Sequence, residues 1–333
     1  MGNDTVSAPS LKSKLLGFIA LMKLRVVELL LITTVPTMIV AEEGLPSLWL
    51  IISTLFGGTL AAGGANAINM YIDRDIDKLM ERTKNRPLVT GVLRPKEALI
   101  FAIGIETIAF AWLWVFVNLL SAVLAVSACL FYVFVYSLWL KRSSTSNIVI
   151  GGAAGAVPVL IGWSSVTNTV DWPPIILFIL IFLWTPPHFW ALAIRYRDDY
   201  SNAQVPMLPV IVGTKVTGYR MVLYAFQVWA ASLIFVPVAD MGLTYLVSAI
   251  VLGAMFTLFF LPSDGKSNEK VRNEAIWFLN QLHNNSLFFN GSRPTSKVWL
   301  LDSSDINLRK CTEFLHIVRL EVNLVTTVLR GIR

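Results

Sequence analysis

A bundle of about eight membrane-spanning α-helices is the all-α fold class that this sequence predicts. Hydrophobic residues make up 55% of the 333 residues, charged residues only 14%, and the mean hydropathy is +0.65. Soluble domains carry about 25% charged residues, so a soluble fold of this length is not expected. The apolar residues form continuous runs, each long enough to cross the hydrocarbon core, and not the short alternating segments of a β-barrel.

Eight apolar segments follow one another along the middle of the chain. They lie at about 22–40, 46–70, 97–117, 120–140, 146–165, 172–195, 218–238 and 242–262. Each must be helical, because lipid offers no partner to a bare backbone amide. We therefore predict one transmembrane domain over 17–262. The preceding residues, 1–16, are polar and lack a signal-peptide pattern, so they are predicted to be a disordered tail.

A polar segment of different composition occupies 263–333. Its most apolar stretch, 312–332, contains five ionisable side chains, Glu313, His316, Arg319, Glu321 and Arg330. Burying these groups in lipid is costly, so an amphipathic or surface helix is expected there and not a ninth span. An abrupt change of this kind also suggests a reading-frame or gene-prediction junction near 263–266.

The charges between the segments predict the topology. Lys and Arg are concentrated before the first segment and in every second loop, including 71–96 and 195–218. The intervening loops contain four acidic residues and no Lys or Arg: Glu42, Glu43, Asp171 and Asp240. The positive-inside rule then places the N-terminus and the basic loops in the cytoplasm, with the bacterial plasma membrane as the expected location. These loops explain the net charge of +6 without a nucleic-acid partner.

Only two cysteines, Cys129 and Cys311, are present, and they are far apart. Without any CxxC spacing they argue against a disulfide framework, an iron–sulfur site or a thiolate zinc site. The chemistry of this chain is therefore sought in its carboxylates.

The first basic loop also contains regularly spaced acidic residues. Asn69, Asp73 and Asp77 fall within about 80° on one helical face. Carboxylates one turn apart repel each other unless a cation lies among them, and Mg²⁺ combines one or two carboxylates with substrate phosphate oxygens. Arg82 and Arg86, one turn apart if the helix continues, suit a clamp on those oxygens. A solvated loop with local ion pairs is the alternative.

A second charged stretch ends the sixth segment. His188, Arg195 and Asp199 fall within about 40° on a helical face, and Asp198 with Asp199 would make a second acidic site. The alternative is an interfacial helix end with snorkelling Arg and belt Tyr side chains. Arg195 is also a candidate diphosphate ligand. Arg25, in the first segment, is either a further phosphate ligand or an ordinary membrane anchor.

His188 and Asn147 are polar side chains in apolar surroundings. The tandem prolines Pro186 and Pro187 predict a broken helix just before His188. An intramembrane histidine is a functional candidate, although it can also bond a freed carbonyl. Asn147 is expected either to face a cavity or to bond another helix.

Four stretches, in this order, resemble the UbiA-type intramembrane prenyltransferases, in the form that acts on heme. They are NMYIDRDID at 69–77 with RTKNRP at 82–87, KRSSTSNIVIGGAAGA at 141–156, WTPPHFWALAI at 184–194, and RYRDDY at 195–200. The resemblance covers about 15–262. It implies about nine helices around a central cavity that opens to the cytoplasm, so the ninth helix is missing from the pattern described above.

The resemblance also implies an activity and a site. It implies Mg²⁺, farnesyl diphosphate as donor, and the vinyl group of heme b as acceptor, with water added to give heme O. Carried over by position, Asn69, Asp73 and Asp77 would serve the first metal–diphosphate site, and Asp199 with Asp198 the second. Arg82 and Arg86 would hold the diphosphate, and His188 would lie on the heme side.

Other functions stay open at this point. A related prenyltransferase with an aromatic or chlorophyllide acceptor is the first alternative. A membrane transporter, or a noncatalytic assembly factor for terminal oxidase, is the second, since transporters also use proline-interrupted helices and intramembrane charge. Heme-handling or oxidase assembly proteins are possible partners.

Overall fold

The computed structural model describes residues 10–260, and the backbone over this range is helical without a strand. The N-terminal half contains α1 (Leu11–Met22), α2 (Leu24–Glu42), α3 (Leu48–Ile72), α4 (Ile76–Leu79), α5 (Pro95–Phe116), α6 (Leu119–Leu130) and a π-helix, π1 (Phe131–Leu140). The C-terminal half contains α7 (Lys141–Ser143), α8 (Asn147–Thr167), α9 (Trp172–Arg195), α10 (Arg197–Asn202), α11 (Leu208–Ile211), α12 (Gly213–Val238) and α13 (Leu243–Phe260).

Each of the eight predicted apolar segments coincides with a helix, which confirms a multi-pass membrane protein. Six helical segments are long and apolar enough to span a bilayer: Leu48–Ile72, Pro95–Phe116, Leu119–Ser143, Asn147–Thr167, Trp172–Arg195 and Gly213–Val238. Shorter apolar helices at Leu30–Glu42 and Leu243–Leu258 match the remaining two segments. The predictions for 263–333, including the missing ninth span, lie outside the described residues.

The start of the chain differs from the prediction of a disordered tail over 1–16. Helix α1 begins at Leu11, and the Ser10 hydroxyl caps it by accepting a hydrogen bond from the Ser13 amide at 3.2 Å. The helix is held by packing, because Gly17 lies against the Leu93 side chain and Leu21 is fully buried. Residues 1–9 lie outside the described range.

The predicted break at the tandem prolines is wrong, because α9 continues through Pro186 and Pro187. Both prolines are buried, and α8 packs closely beside them. A Cβ atom on Gly152 of α8 would lie 2.9 Å from the Thr185 side chain. Neighbouring helices thus support α9 where the prolines remove its amide donors.

Packing brings the two charged loops to the same end of the bundle. A hydrophobic cluster joins Ile76 and Met80 of the first loop, Tyr200 and Met207 of the second, and Trp190 of α9. The other ends of the helices pack through a separate cluster that includes Val40, Trp163, Phe235 and Tyr245. Apolar contacts between the two loops therefore bring the acidic residues of the first loop close to those of the second.

Candidate active site

The first predicted triad forms a buried cluster at the end of α3. Asn69, Asp73 and Asp77 are 3%, 0% and 2% exposed. The helical path continues beyond α3, because the Asp77 amide bonds the Asp73 carbonyl at 2.8 Å, and the Asn69 side-chain amide donates to Asp73 Oδ2 at 2.7 Å. Carboxylates this deeply buried do not fit the alternative of a solvated loop.

Each member of the triad has a cationic partner. Lys141 pairs with Asp73 Oδ2, and Arg86 pairs with Asp77 Oδ2 at 2.6 Å. Lys23, in the break between α1 and α2, donates to the Asn69 Oδ1 atom at 3.0 Å. Lys23 and Lys141 were interpreted only as topology signals in the sequence, although Lys141 begins the second family-like stretch.

The position of Lys23 also changes its acidity. Burial, and then the neighbouring charges of Arg86 and Lys141, lower the pKa of the Lys23 amine to about 7. The carboxylates of Asp73 and Asp77 act in the opposite direction. An anionic ligand here would favour the protonated amine, because opposite charges stabilise each other at short range.

The second charged stretch reaches the cluster differently from the prediction. Helix α9 ends at Arg195, and Tyr196 (φ −103°, ψ 32°) separates it from α10, so His188, Arg195 and Asp199 do not share one helical face. Asp199 instead accepts a hydrogen bond from the Arg82 backbone amide at 3.3 Å.

Arg82 thereby joins the two loops. Its guanidinium lies near the buried Tyr200 and 5.6 Å from the centre of the Tyr196 ring. Burial raises the pKa of the Tyr200 hydroxyl, which stays protonated at neutral pH. The helix expected to carry Arg82 and Arg86 does not continue, because α4 ends at Leu79 and the Arg86 amide bonds the Thr83 carbonyl at 3.0 Å in a turn.

Three of the predicted residues lie outside the cluster. Arg25, Arg195 and Asp198 are exposed, and the Arg195 guanidinium rests 5.8 Å from the centre of the Tyr196 ring. Lys23, two residues before Arg25, reaches the cluster instead, through its hydrogen bond to Asn69.

His188 lies among aromatic rings in α9. Its imidazole stacks on Trp184 with centroids 4.4 Å apart and meets the edge of Phe189 at 5.5 Å. None of the side-chain hydrogen bonds within the described range uses this ring. The alternative in which His188 bonds a carbonyl freed by the prolines therefore has no support.

The π-helix and the start of α8 bring further polar groups to this end of the bundle. Ser137 of π1 accepts a hydrogen bond from the Asn69 amide at 3.0 Å, and Tyr132 and Tyr136 stack 5.3 Å apart. A Cβ atom on Gly151 would lie 2.3 Å from the Tyr136 ring, so only glycine allows this placement. π-Helices are rare and often occur at functional sites, but no periodic sequence signal predicts one.

Asn147 is fully buried, and neither of its amide atoms has a hydrogen-bond partner within the described part of the chain. The alternative in which it bonds another helix is therefore not observed. A buried amide without a partner costs about 1–3 kcal/mol, so a bound ligand or ordered water is the expected partner.

One carboxylate oxygen of the cluster, Asp73 Oδ1, is buried and makes no hydrogen bond to the described residues. The Arg142 guanidinium lies 4.0 Å from it. Within the described residues, however, no three His, Cys, Asp or Glu side chains converge on one point. A divalent ion here would take most of its ligands from bound phosphate oxygens and water, which is how Mg²⁺ usually binds.

Asp75, in the same loop, faces away from the cluster, and its side chain is 61% exposed. Its carboxylate makes two hydrogen bonds of 2.7 Å to the guanidinium of Arg142. The Arg142 bonds hold the pKa of the Asp75 carboxyl well below its usual range. This pair ties the loop after α3 to α7, next to Lys141.

Known proteins are similar to this chain in sequence and in fold. The chain is 61% identical over 240 residues to the protoheme IX farnesyltransferase of Parafrankia sp. (strain EAN1pec), covering 72% of this chain and 77% of the relative. It is 58% identical over 246 residues to the protein of the same name from Frankia alni, covering 74% and 85%. A UbiA homologue from Archaeoglobus fulgidus, solved bound to DMAPP and Mg²⁺, has the same fold with a TM-score of 0.59 and 16% identity, covering 93% and 99%.

The sequence profile of the UbiA prenyltransferase family matches residues 30–282. The match begins in α2, runs through α13 and extends 20 residues past the domain end predicted at 262 (282 − 262). It includes both charged loops and every side chain of the buried cluster except Lys23. With most of its length matched and its helices following the same fold, the chain belongs to the UbiA prenyltransferase family.

Proposed function

We propose that this chain transfers the farnesyl group of farnesyl diphosphate to the vinyl side chain of heme b, with addition of water, giving heme O and diphosphate. The observation that carries the proposal is the buried cluster of Asn69, Asp73 and Asp77 with its surrounding cations. The name of the similar relatives supports heme as the acceptor over an aromatic ring or chlorophyllide. Membership of a prenyltransferase family favours an enzyme over a transporter or an assembly factor.

We assign the metal–diphosphate site to Asp73, Asp77 and Asp199, with Asn69 orienting Asp73. The free Oδ1 atom of Asp73 fits a cation, and Asp199 is held close to the first loop by Arg82. Magnesium, when bound, would neutralise charge on the departing diphosphate and so weaken the allylic C–O bond. The exposed Asp198 is left outside this assignment.

Four cations are positioned to receive the diphosphate: Lys23, Arg82, Arg86 and Lys141. Arg86 and Lys141 are held at the site by carboxylates, and Lys23 by Asn69. Donors aimed in advance at a developing negative charge are the most effective form of transition-state stabilisation.

The proposed reaction is a farnesyl transfer followed by the addition of water. The allylic C–O bond breaks with its electron pair leaving on diphosphate, and the vinyl carbon of heme attacks the farnesyl carbon. Water adds to the cation left on the heme side chain and loses a proton, which leaves the hydroxyl group. We assign His188 to the heme side, since its ring lies between aromatic side chains and makes no hydrogen bond to the described part of the chain.

The decisive experiment is incubation of membranes containing this chain with heme b, farnesyl diphosphate and magnesium. Mass analysis of the extracted heme should show one added farnesyl group and one added water. Parallel reactions with 4-hydroxybenzoate and chlorophyllide should give no prenylated product. A product with either of these acceptors and none with heme would refute the proposed acceptor.

We also propose that the buried cluster faces the cytoplasm across the bacterial plasma membrane. The Lys and Arg distribution supports this orientation. Single cysteines introduced at Ser47 and Thr169, both exposed, should react with an impermeant thiol reagent added outside the cell. A cysteine at the exposed Glu81 should react only after the membrane is opened. Outside labelling at Glu81 would reverse the orientation.

A further inference from the structure

A polar cleft lies next to the buried cluster, at the loop that follows α3. It is a cleft of about 500 Å³ lined by Tyr71, Ile72, Arg74, Asp75, Leu138 and Arg142. These residues belong to the last turns of two membrane spans, Leu48–Ile72 and Leu119–Ser143, and to the loop directly after the first. The cleft therefore lies where the hydrocarbon core meets the head-group layer.

The two arginines of the cleft differ in how they are bound. Arg142 is engaged by two hydrogen bonds to Asp75 and a third, at 3.2 Å, to the Ile72 carbonyl. Arg74 is exposed, donates to the Tyr71 carbonyl at 2.7 Å and lies 4.6 Å from the centre of the Tyr71 ring. Arg74 forms no ion pair with any carboxylate of the described chain. The cleft thus has one excess positive charge, on a guanidinium that faces solvent.

The opposite wall of the cleft is apolar. Leu138 is 50% exposed, and its neighbour Trp139 is 65% exposed. In a membrane-spanning helix these side chains face lipid. The arginines of the cleft match the head group of a phospholipid, and the apolar wall matches its acyl chain. A free anion would contact only the arginines.

We propose that this cleft binds the head group of an anionic phospholipid, with its phosphate on the Arg74 guanidinium and an acyl chain along Leu138. Basic pockets between transmembrane helices on the cytoplasmic side are suited to anionic head groups. The net charge of the cleft favours an anionic lipid. Arg142 neutralises the carboxylate of Asp75, so the positive charge of Arg74 remains without a counter-charge in the cleft. A zwitterionic lipid offers no net charge to match the remaining guanidinium.

Binding here is expected to stabilise the acidic cluster. Arg142 closes the cleft on one side, is 4.0 Å from Asp73 on the other, and directly follows Lys141. A lipid that orders the cleft would therefore order the segment that holds Lys141 on Asp73. Any ligand that binds only the folded protein raises its apparent stability by mass action.

The test uses the full-length protein in a neutral detergent and measures its melting temperature. Phosphatidylglycerol, phosphatidylcholine and inorganic phosphate are added separately to the wild type, to Arg74→Gln and to Arg94→Gln. Arg94 is the matched control, since its side chain is 78% exposed and pairs with Glu97 away from the cleft. Native mass spectrometry of the same samples counts the bound lipids.

Phosphatidylglycerol should raise the melting temperature of the wild type and of Arg94→Gln by several degrees, and that of Arg74→Gln by less than half as much. Arg74→Gln should melt like the wild type in detergent alone, because the Arg74 side chain is exposed. An equal phosphatidylglycerol response in all three proteins would overturn the proposal and leave Arg74 as a snorkelling side chain. An equal response to phosphatidylcholine, or a phosphate response that Arg74→Gln removes, would also overturn it.

Discussion

Asp73→Asn should lower heme O formation by about 100-fold or more, the range expected when one preorganised charge-stabilising group is lost. Asn has nearly the same size as Asp, so packing changes little. The variant loses the negative charge of Asp73, and an amide NH₂ group replaces one of its two carboxylate oxygens. The site then has one oxygen fewer for a cation, next to the Oδ1 position that is unbonded in the wild type. Product should be quantified by mass analysis over a range of magnesium concentrations. Near-wild-type turnover with unchanged magnesium dependence would remove Asp73 from the metal site.

The same substitution should also destabilise the folded protein. The spacing of the carboxylates alone predicts no loss of stability, since removing one of several stacked carboxylates relieves repulsion. In the structure Asp73 is fully buried and pairs with Lys141, whose side chain is only 14% exposed. Breaking a buried pair by removing one partner costs about 3–5 kcal/mol, because the remaining charge is left uncompensated. The melting temperature should therefore fall.

A double variant separates the two effects. Asp73→Asn combined with Lys141→Gln removes both charges, so much of the lost stability should return while activity stays low. Asp75→Asn is the matched control within the same loop. Its pair with Arg142 is largely exposed, and such pairs contribute about 0–1 kcal/mol. Asp75→Asn should thus retain activity within a few-fold of the wild type and melt at nearly the same temperature.

Arg86→Gln is expected to have the second largest effect. Arg86 pairs with Asp77 at 2.6 Å, and the Asp77 side chain is 3% exposed. Its loss leaves a buried carboxylate without a cation, which should cost about 3–5 kcal/mol of stability. It also removes one of the four cations assigned to the diphosphate, so we expect heme O formation to fall by at least tenfold and KM for farnesyl diphosphate to rise.

Controls for Arg86 follow from the same pair. Asp77→Asn with Arg86→Gln should recover stability without recovering activity, since both the carboxylate and the guanidinium are assigned to the site. Arg94→Gln, an exposed arginine of the same basic loop, should leave both quantities near the wild type. If Arg86→Gln melted earlier but kept its KM and turnover, Arg86 would be a structural partner of Asp77 only.

The membrane architecture could be predicted from the sequence because it depends on local properties. A run of apolar residues must be long enough to cross the hydrocarbon core and must be helical within it. The predicted segments accordingly match the observed helices to within a few residues, apart from α12, which begins five residues earlier than predicted (218 − 213). Asn69, Asp73 and Asp77 were placed on one face for the same reason, since helical spacing persists through the hydrogen bond from Asp77 to Asp73.

Predictions that extended one helix across a turn were wrong. The shared face of His188, Arg195 and Asp199 is lost at Tyr196, and the helix expected to carry Arg82 and Arg86 ends at Leu79. Both places lie in the charged loops that follow a helix end, where lipid does not enforce helical geometry.

By itself the sequence determined the fold class, the acidic face at the end of α3 and the family-like order of the charged stretches. Only the tertiary structure decided which cations meet these acids. Lys141 lies 68 residues from Asp73 in the chain, and Asp199 lies 117 residues from the Arg82 amide that binds it. Such pairings depend on how whole helices pack against one another, and helical periodicity contains no information about partners on other helices. The stability change expected for Asp73→Asn depends on the same packing. Because Asp73 is buried and pairs with Lys141, removing its charge destabilises the fold and does not merely relieve repulsion.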